Sequence, residues 1–229
     1  MLVAGVDGCP AGWIISWVDA GPPLRLLTAR ASPTFADVLA RTKECDIVGI
    51  DVPIGLTDAG PRLADKEARR VLSPRTSRVF PAVIRPVLGV MDYRAACDIS
   101  ERAQGKRMSK QAHSLGLRSH EVDLLMTPAL RQRIIEVHPE VCFWALNDSM
   151  PVLTRKRSRE GEQERVALLS NVFADDIGAL AVPAGAARDD VYDACAAAWT
   201  AARFARGEHG MLPAQPPRDS RGLRTEIVY

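Results

Sequence analysis

The sequence VAGVDGCPAGW, residues Val3 to Trp13, is an apolar stretch interrupted by one charged residue. Residues Leu2 to Val6 predict a buried strand, which delivers Asp7 into the turn sequence Gly8 to Gly12. Asp-Gly is a common way to leave a strand, so Asp7 is explained as a turn residue. A second interpretation is a carboxylate held at the edge of a sheet, where a metal or a substrate needs one.

The segments around and after this turn predict the order of the secondary structure. Apolar or alternating runs separated by Gly-Pro turn signals predict an antiparallel meander of three strands: Leu2–Asp7, Gly12–Val18 and Leu24–Arg30. A helical pattern then starts at Pro33-Thr34 and ends near Thr42. The sequence DIVGIDVPIGL predicts another buried strand, which starts at Ile47 and again ends in an acid, Asp51.

The middle of the chain is less regular. A basic helix is predicted from Arg62 to Leu72, after which prolines break the pattern around a helical fragment from Tyr93 to Ala103. Two short helices are predicted over Val122–Met126 and Pro128–Gln132. We interpret residues 62–132 as a basic helical or irregular insertion that covers the working edge of the sheet.

The C-terminal part of the chain predicts a last strand pattern and a long final helix. It contains, in order, one strand and three helices: Ile134–Val137, Pro139–Leu146, Glu160–Phe173 and Asp190–Arg206. The final helix is rich in Ala, and Asp189 or Asp190 is its predicted N-cap. Residues Ile227–Tyr229 predict a short additional strand.

The composition is that of a folded protein. Of the 229 residues, 47% are hydrophobic and 25% are charged, which fits one α/β domain with or without a cap. No apolar run approaches the ~18 residues that cross a bilayer, and Met1 leads directly into a strand, so we expect a cytoplasmic protein without membrane contact. The five cysteines show no CxxC spacing, which argues against a zinc site or a disulfide framework.

The net charge is only +2, but it is unevenly distributed along the chain. Between Arg62 and Arg118, thirteen Lys and Arg stand against five Asp and Glu. A basic surface near an acidic centre suits a polyanionic substrate or phosphate groups better than a neutral metabolite. A solvated helical surface rich in Arg explains the same distribution.

Four acids fall at positions that a fold could bring together. Asp7 and Asp51 each end a buried strand, and carboxylates on adjacent parallel strands lie about 5 Å apart. Asp190 and Asp193 share one face of the last helix because they are three residues apart. Such a cluster repels itself without a cation, and Mg²⁺ or Mn²⁺ prefers these ligands. Two ions about 3.5–4 Å apart would clamp the attacking and leaving oxygens of a phosphodiester.

The order of these elements is similar to the RNase H-like layout of a three-stranded meander, a helix, a strand and a late acidic helix. DDVYDACAAA resembles the final-helix motif of the bacterial Holliday-junction resolvases, with Asp190 and Asp193 at its two metal-facing acids. The chain more closely resembles the domain-of-unknown-function family 429, described as predicted RNase H-like nucleases. Six segments carry this resemblance: GVDGCPAGW (Gly5–Trp13), IDVPIGL (Ile50–Leu56), RVFPA (Arg78–Ala82), EVHPEVCFWALN (Glu136–Asn147), EGEQER (Glu160–Arg165) and DDVYDACAAAWTA (Asp189–Ala201). Val83 departs from the proline expected after FPA.

The resemblance implies an α/β fold with an RNase H-like mixed five-stranded sheet flanked by helices, as a single domain over residues 1–229. Together with the acids it implies a Mg²⁺- or Mn²⁺-dependent nuclease or phosphodiesterase that hydrolyses nucleic acid by a two-metal mechanism. In this hypothesis Asp7 bridges two ions, Asp51 and Asp193 hold one each, and Asp190 is an alternative or additional ligand. Two other functions stay open: a non-catalytic module that binds nucleic acid or protein, and a hydrolase of a small phosphorylated metabolite.

Further candidate residues lie outside the acidic set. Glu140 is a candidate for an acid behind the metal ligands and His138 for a proton shuttle, while both also suit the start of a helix. Side chains of the insertion suit phosphate contact because the Arg fork matches phosphate oxygens. The candidates for this contact, each of which also suits a solvated surface, are Arg75, Arg78, Arg85, Lys106, Lys110 and Gln111.

Overall fold

Five strands form one mixed sheet in the computed structural model, which describes all residues from Met1 to Tyr229. They are β1 (Leu2–Cys9), β2 (Gly12–Asp19), β3 (Arg25–Ser32), β4 (Ile47–Ile50) and β5 (Ile134–Glu136). The strand order is β3-β2-β1-β4-β5; the first three strands pair antiparallel, and β4 pairs parallel with both β1 and β5. The predicted α/β fold with a mixed five-stranded sheet is confirmed.

The turn between β1 and β2 is tighter than the sequence suggests. Cys9 pairs with Gly12, so Pro10 and Ala11 alone form the turn. Gly12 has a φ of +112°, and a Cβ there would lie 2.4 Å from the carbonyl oxygen of Pro33. Glycine is required by both the backbone conformation and this close approach. Asp7 pairs with Ile14 inside the β1–β2 ladder and is therefore a strand residue.

Seven α-helices surround the sheet. They are α1 (Phe35–Arg41), α2 (Leu63–Val71), α3 (Tyr93–Gln104), α4 (Lys110–Leu125), α5 (Pro139–Leu146), α6 (Arg159–Ser170) and α7 (Arg188–Arg206). Near the C-terminus, β6 (Met211–Leu212) and β7 (Ile227–Val228) pair as a separate small sheet. No helix is both long enough and apolar enough to span a membrane.

Helix α7 packs directly on the centre of the sheet, against β1, β2 and β4. Every residue from Asp190 to Ala202 is buried. The Ala-rich sequence permits this because small side chains let the helix backbone approach the strands. Gly5 and Gly49 face each other in β1 and β4, and a Cβ on either would lie within 2.6 Å of an α7 carbonyl oxygen. Helices α5 and α6 extend the same core with Phe143 and Leu169.

The opposite face of the sheet is covered by α1 and the end of α4. Phe35 and Val38 of α1 and Val122 of α4 pack there with Trp13 and Ile15 of β2. The sheet is thus buried on both faces. This agrees with the sequence of its strands, in which successive residues are apolar, whereas a sheet with one exposed face has alternating apolar and polar residues.

The segment between β4 and β5 contains α2, α3 and α4 and builds a small core of its own. That core consists of Val83, Ile84, Val87 and Ala96. This segment corresponds to the predicted insertion at about 62–132, which we call the cap below.

Helix α4 corrects the prediction for the end of the cap. The sequence predicts a short helix over Val122–Met126, whereas α4 begins at Lys110. Ser109 caps it by accepting a hydrogen bond from the N–H of Ala112 at 3.1 Å. Gly116 does not interrupt the helix; a Cβ there would lie 2.9 Å from a methyl group of Val83, so this glycine allows close packing. The helix predicted after α4 is only a 3₁₀ turn, Leu130–Gln132.

Candidate functional site

Asp7 and Asp51 are neighbours at one edge of the sheet. The residues before them, Val6 and Ile50, are paired in the parallel β1–β4 ladder. The backbone N–H of Asp51 donates to the carbonyl oxygen of Val6 at 2.9 Å. The two carboxyl groups lie near enough for each to affect the pKa of the other. Adjacent parallel strands therefore bring these acids together, while their role stays a prediction.

Asp193 joins this pair from the first turns of α7. It is 5% exposed, and Asp7 is 7% exposed. The charge of Asp193 acts on Asp7, as does the charge of Asp51. The close contact of α7 with β1 and β4 is what brings the helix acid to the strand acids.

Burial shifts the pKa values of all three acids upwards, and the charges of neighbouring acids add to the shift for Asp7 and Asp193. Burial raises the pKa of Asp7 well above its usual range, and the charges of Asp51 and Asp193 raise it further. Burial also raises the pKa of Asp51. It raises the pKa of Asp193 to about 6, even though the neighbouring Lys156 ammonium lowers it. Such shifts mark a site that is short of positive charge.

Lys156 supplies the one cation in direct contact with this cluster. Its Nζ donates to Oδ2 of Asp193 and lies 3.4 Å from Oδ2 of Asp189. Burial lowers the pKa of Lys156, but the charges of Asp193 and Asp7 outweigh it and the net pKa is raised. Lys156 therefore stays charged and partly neutralises the acids.

The three acids suit a divalent metal ion by their chemistry. Carboxylate oxygens are the ligands that Mg²⁺ and Mn²⁺ prefer, and the shifted pKa values show that these oxygens repel one another without a cation. No group of three or more His, Cys, Asp or Glu is arranged as a ready-made metal site. Lys156 donates to Oδ2 of Asp193, an oxygen that a metal ion bound to this acid would need.

A cleft of about 580 Å³ opens above the acids. Its floor includes Asp7, Asp51 and Asp193, and its opposite wall is formed by residues of the cap. The charged and polar side chains that line it besides these acids are Ser77, Arg78, Gln111, Arg118, Ser119, His138, Glu140, Lys156, Arg157 and Asp190. An anionic floor is thus faced by cationic walls.

Asp190 lines the cleft but already has a structural contact. Its Oδ2 accepts a hydrogen bond from the backbone N–H of Ala187 at 2.8 Å. Helix α7 begins at Arg188 with Ala187 as its N-cap, so neither Asp189 nor Asp190 is the N-cap that the sequence predicts. Asp190 instead binds back to the N-cap backbone from the third helical position, as in a capping box.

Glu140 lies at the cleft between two arginines. Its Oε1 accepts a hydrogen bond from Arg165 at 2.6 Å, and its Oε2 accepts one from Arg78. Arg78 also donates to the carbonyl oxygen of Val152 at 2.8 Å. Arg78, a predicted phosphate contact, is therefore largely occupied within the protein.

The other predicted phosphate contacts divide between the cleft and the rest of the cap. Gln111 lines the cleft. Arg85 lies outside it, where it binds both carboxylate oxygens of Asp123 at 2.8 and 2.7 Å. Arg75 also lies outside and donates to the carbonyl oxygen of Leu153. Lys106 and Lys110 are exposed away from the cleft.

Three cleft cations, Arg118, Lys156 and Arg157, are absent from the sequence-derived candidates. Lys156 lies in TRKRSREGEQER, where a run of basic residues precedes an acidic helix, and this run is the signal that could have indicated it. Arg118 had no such signal, because its position depends on how α4 folds over the sheet. His138 also lines the cleft, with its Nδ1 buried and without a hydrogen-bond partner.

Replacing Lys156 by Met is expected to lower the free energy of unfolding of metal-free protein by about 1–3 kcal/mol, because Asp193 loses its contacting cation and Asp7 and Asp51 lose a nearby positive charge. Urea unfolding at pH 8 in the presence of a chelator measures this effect. Arg157→Met is the matched control, since its side chain is 82% exposed and its ion pair with Asp189 contributes within about 1 kcal/mol. Equal stability of the two variants would contradict the neutralising role of Lys156.

The fold and the site define an α/β protein with a mixed five-stranded sheet and a buried acidic cluster beneath a cap. The chain belongs to the family described as "Protein of unknown function (DUF429)", whose model matches residues 5–218. A comparison with curated proteins finds no match.

Among solved structures, the chain is similar to the RuvC structure from Thermus thermophilus. The sequence identity is 14% and the TM-score is 0.41, with 99% of this chain and 100% of that chain covered.

Proposed function

We propose that this protein is a Mg²⁺- or Mn²⁺-dependent phosphodiesterase that cleaves nucleic acid. The observation that carries the proposal is the cluster of Asp7, Asp51 and Asp193, three buried carboxylates with raised pKa values at the floor of a cleft with cationic walls. Buried carboxylates with raised pKa values are energetically unfavourable, and such groups cluster at functional sites. A phosphodiester is the anionic substrate that matches both halves of this cleft.

Asp7, Asp51 and Asp193 would hold the metal, with Asp190 as an additional acid at the rim. When bound there, the ion activates water and stabilises charge on the phosphate. Lys156 would move from Asp193 towards the cleft, where its ammonium can contact a phosphate oxygen. Cap residues such as Gln111 close the cleft from above and orient the substrate.

A hydrolase of a small phosphorylated compound is the second candidate. The cleft volume of about 580 Å³ favours it, because sites for small molecules commonly measure about 300–1,000 Å³. The acids and cations would act in the same way on such a substrate. The two candidates therefore differ in the substrate and agree in the chemistry.

Purified protein is expected to cleave at least one member of a substrate panel when Mg²⁺ or Mn²⁺ is present and none when EDTA is added. The panel contains single-stranded, duplex and branched DNA, single-stranded RNA, and bis(p-nitrophenyl) phosphate as a small diester. Gel electrophoresis and release of p-nitrophenol measure the products. Cleavage of the small diester alone favours the second candidate.

Asp51→Asn separates activity of this site from a contaminating nuclease. The Asp51→Asn protein, purified in the same way as the wild type, should show no cleavage, while circular dichroism shows an intact fold. If the wild type cleaves nothing but binds nucleic acid with an affinity that falls with salt, the protein is a binding module instead.

A further inference from the structure

Arg118 of the cap extends across the cleft to the strand that carries Asp7. One of its terminal N–H groups donates to the carbonyl oxygen of Cys9 at 2.8 Å. Its guanidinium carbon lies 5.8 Å from the ring centroid of Trp13, over the ring. Arginine has five N–H donors, and this hydrogen bond to Cys9 is the single one that Arg118 makes within the protein. Donors therefore remain available on the side that lines the cleft.

Gly8 provides the space in which the Arg118 guanidinium lies. A Cβ on Gly8 would lie 1.4 Å from one terminal nitrogen of Arg118 and 2.7 Å from the guanidinium carbon. Gly8 follows Asp7 directly, so the guanidinium is held beside the acidic cluster. The Arg118 charge lowers the pKa of Asp51, in agreement with this position.

Glu121 fixes the part of α4 that presents Arg118. One oxygen of Glu121 accepts from Nε1 of Trp13 at 3.1 Å, and the other accepts from the backbone N–H of Phe35. Glu121 lies three residues after Arg118 and so shares its helix face. The cap is therefore attached to the sheet one turn away from Arg118, and the guanidinium has a defined position.

From this geometry we infer that Arg118 binds a phosphate group of the substrate beside the acids. The inference rests on the proposed function and identifies the cap residue that recognises the phosphate. Unlike Arg78 and Arg85, which are paired with carboxylates, Arg118 has no acidic hydrogen-bond partner. A guanidinium with free donors is suited to phosphate oxygens, which accept two parallel hydrogen bonds from it. An internal phosphate of a nucleic-acid strand and a free phosphate both offer this chemistry.

Binding of a fluorescein-labelled oligothymidylate, measured by anisotropy in the presence of EDTA, tests the inference without cleavage. Arg118→Gln is expected to weaken binding about tenfold or more and to reduce the slope of log affinity against log salt by about 1. Arg118→Lys should recover part of the affinity because it restores the charge. Gly8→Ala should also weaken binding, although it retains the charge, because the new methyl group displaces the guanidinium.

Arg102→Gln is the matched control, since Arg102 is an exposed arginine of α3 in the same cap, outside the cleft. Its affinity should stay within about twofold of the wild type, with thermal melting confirming that all variants are folded. Competition with inorganic phosphate distinguishes the sources: displacement by millimolar phosphate indicates a site for a free phosphate, and no displacement indicates a strand. Both results support a phosphate site at Arg118 if Arg118→Gln weakens the binding.

The inference fails if Arg118→Gln binds the oligonucleotide with the affinity and salt slope of Arg102→Gln, or if the wild type does not bind the oligonucleotide. These outcomes are separate from failure of the proposed function. If metal-dependent cleavage survives in Arg118→Gln, the proposed nuclease function holds without the Arg118 contact. Weakened binding by Arg118→Gln in a protein that cleaves nothing would leave the contact in place without the nuclease.

Discussion

Asp7→Asn is expected to abolish metal-dependent cleavage and, in the same protein without metal, to increase stability at pH 8. Asp7 is the acid whose pKa burial and two neighbouring carboxylates raise most clearly, and it lies at the centre of the proposed ligand set. Loss of one metal ligand removes several kcal/mol of transition-state stabilisation, so the rate should fall by about 10³-fold or more. Asparagine keeps the shape of the side chain and removes the charge.

The gain in stability follows from the direction of the pKa shift. The pKa of an unfolded Asp is about 3.9, whereas burial raises the pKa of folded Asp7 well above that value and the pKa of folded Asp193 to about 6. Between the unfolded and folded pKa values the folded state binds more protons, so stability falls as the pH rises through this window. At a pH above the folded pKa values the buried carboxylates are charged, and the full free-energy penalty of burying these charges is present. Asp7→Asn removes part of this penalty and should therefore show a smaller loss of stability from pH 4 to pH 8.

Urea unfolding in EDTA at several pH values measures this difference, and the cleavage assay measures the loss of activity. Asp98→Asn is a suitable control because Asp98 is 60% exposed and forms a surface ion pair with Arg107. That variant should retain cleavage and show the pH profile of the wild type. An Asp7→Asn protein that still cleaves, or one that is less stable than the wild type at pH 8 without metal, would contradict the role assigned to Asp7.

The sequence was sufficient to predict the sheet and the meeting of Asp7 with Asp51. Both acids come directly after an apolar run, Asp7 within β1 and Asp51 just after β4, and the parallel pairing of these strands places them side by side. The long helix α7 was predictable for a similar reason, since its Ala-rich face has a helical period. The strands and the helix are encoded by local hydrophobic patterns, and the proximity of the two acids follows from the parallel pairing of β1 and β4.

The cap was predicted less well because its charges depend on distant partners. Arg85 belongs to the basic stretch of the sequence, but in the structure it pairs with Asp123 and with Asp219 near the C-terminus. Arg62 is buried against Glu136 of β5. Counting charges along the chain predicted a basic surface, whereas these arginines are turned inwards and neutralised. Lys156 and Arg118 reach the cleft through the same kind of long-range packing, which no local pattern encodes.

The close contact between the sheet and α7 leads to the second large prediction. Gly5→Ala is expected to destabilise the protein by more than about 4 kcal/mol, because its Cβ would lie 1.8 Å from the carbonyl oxygen of Ala194 and 2.3 Å from the backbone nitrogen of Ala198. Neither atom belongs to a flexible side chain, so the helix as a whole would have to move. A shift of α7 away from β1 would also separate Asp193 from Asp7.

Graded variants keep this prediction testable even if Gly5→Ala does not fold. Gly49→Ala should be less severe, since its Cβ would lie 2.6 Å from the carbonyl oxygen of Ala197, and Gly21→Ala should change stability by less than about 0.5 kcal/mol because its surroundings are open. Urea unfolding and circular dichroism establish the order. Wild-type stability of Gly5→Ala would show that α7 is not this close to β1. The expected order would show that the facing glycines Gly5 and Gly49 allow α7 to pack this closely on β1 and β4, the two strands beside which Asp193 lies.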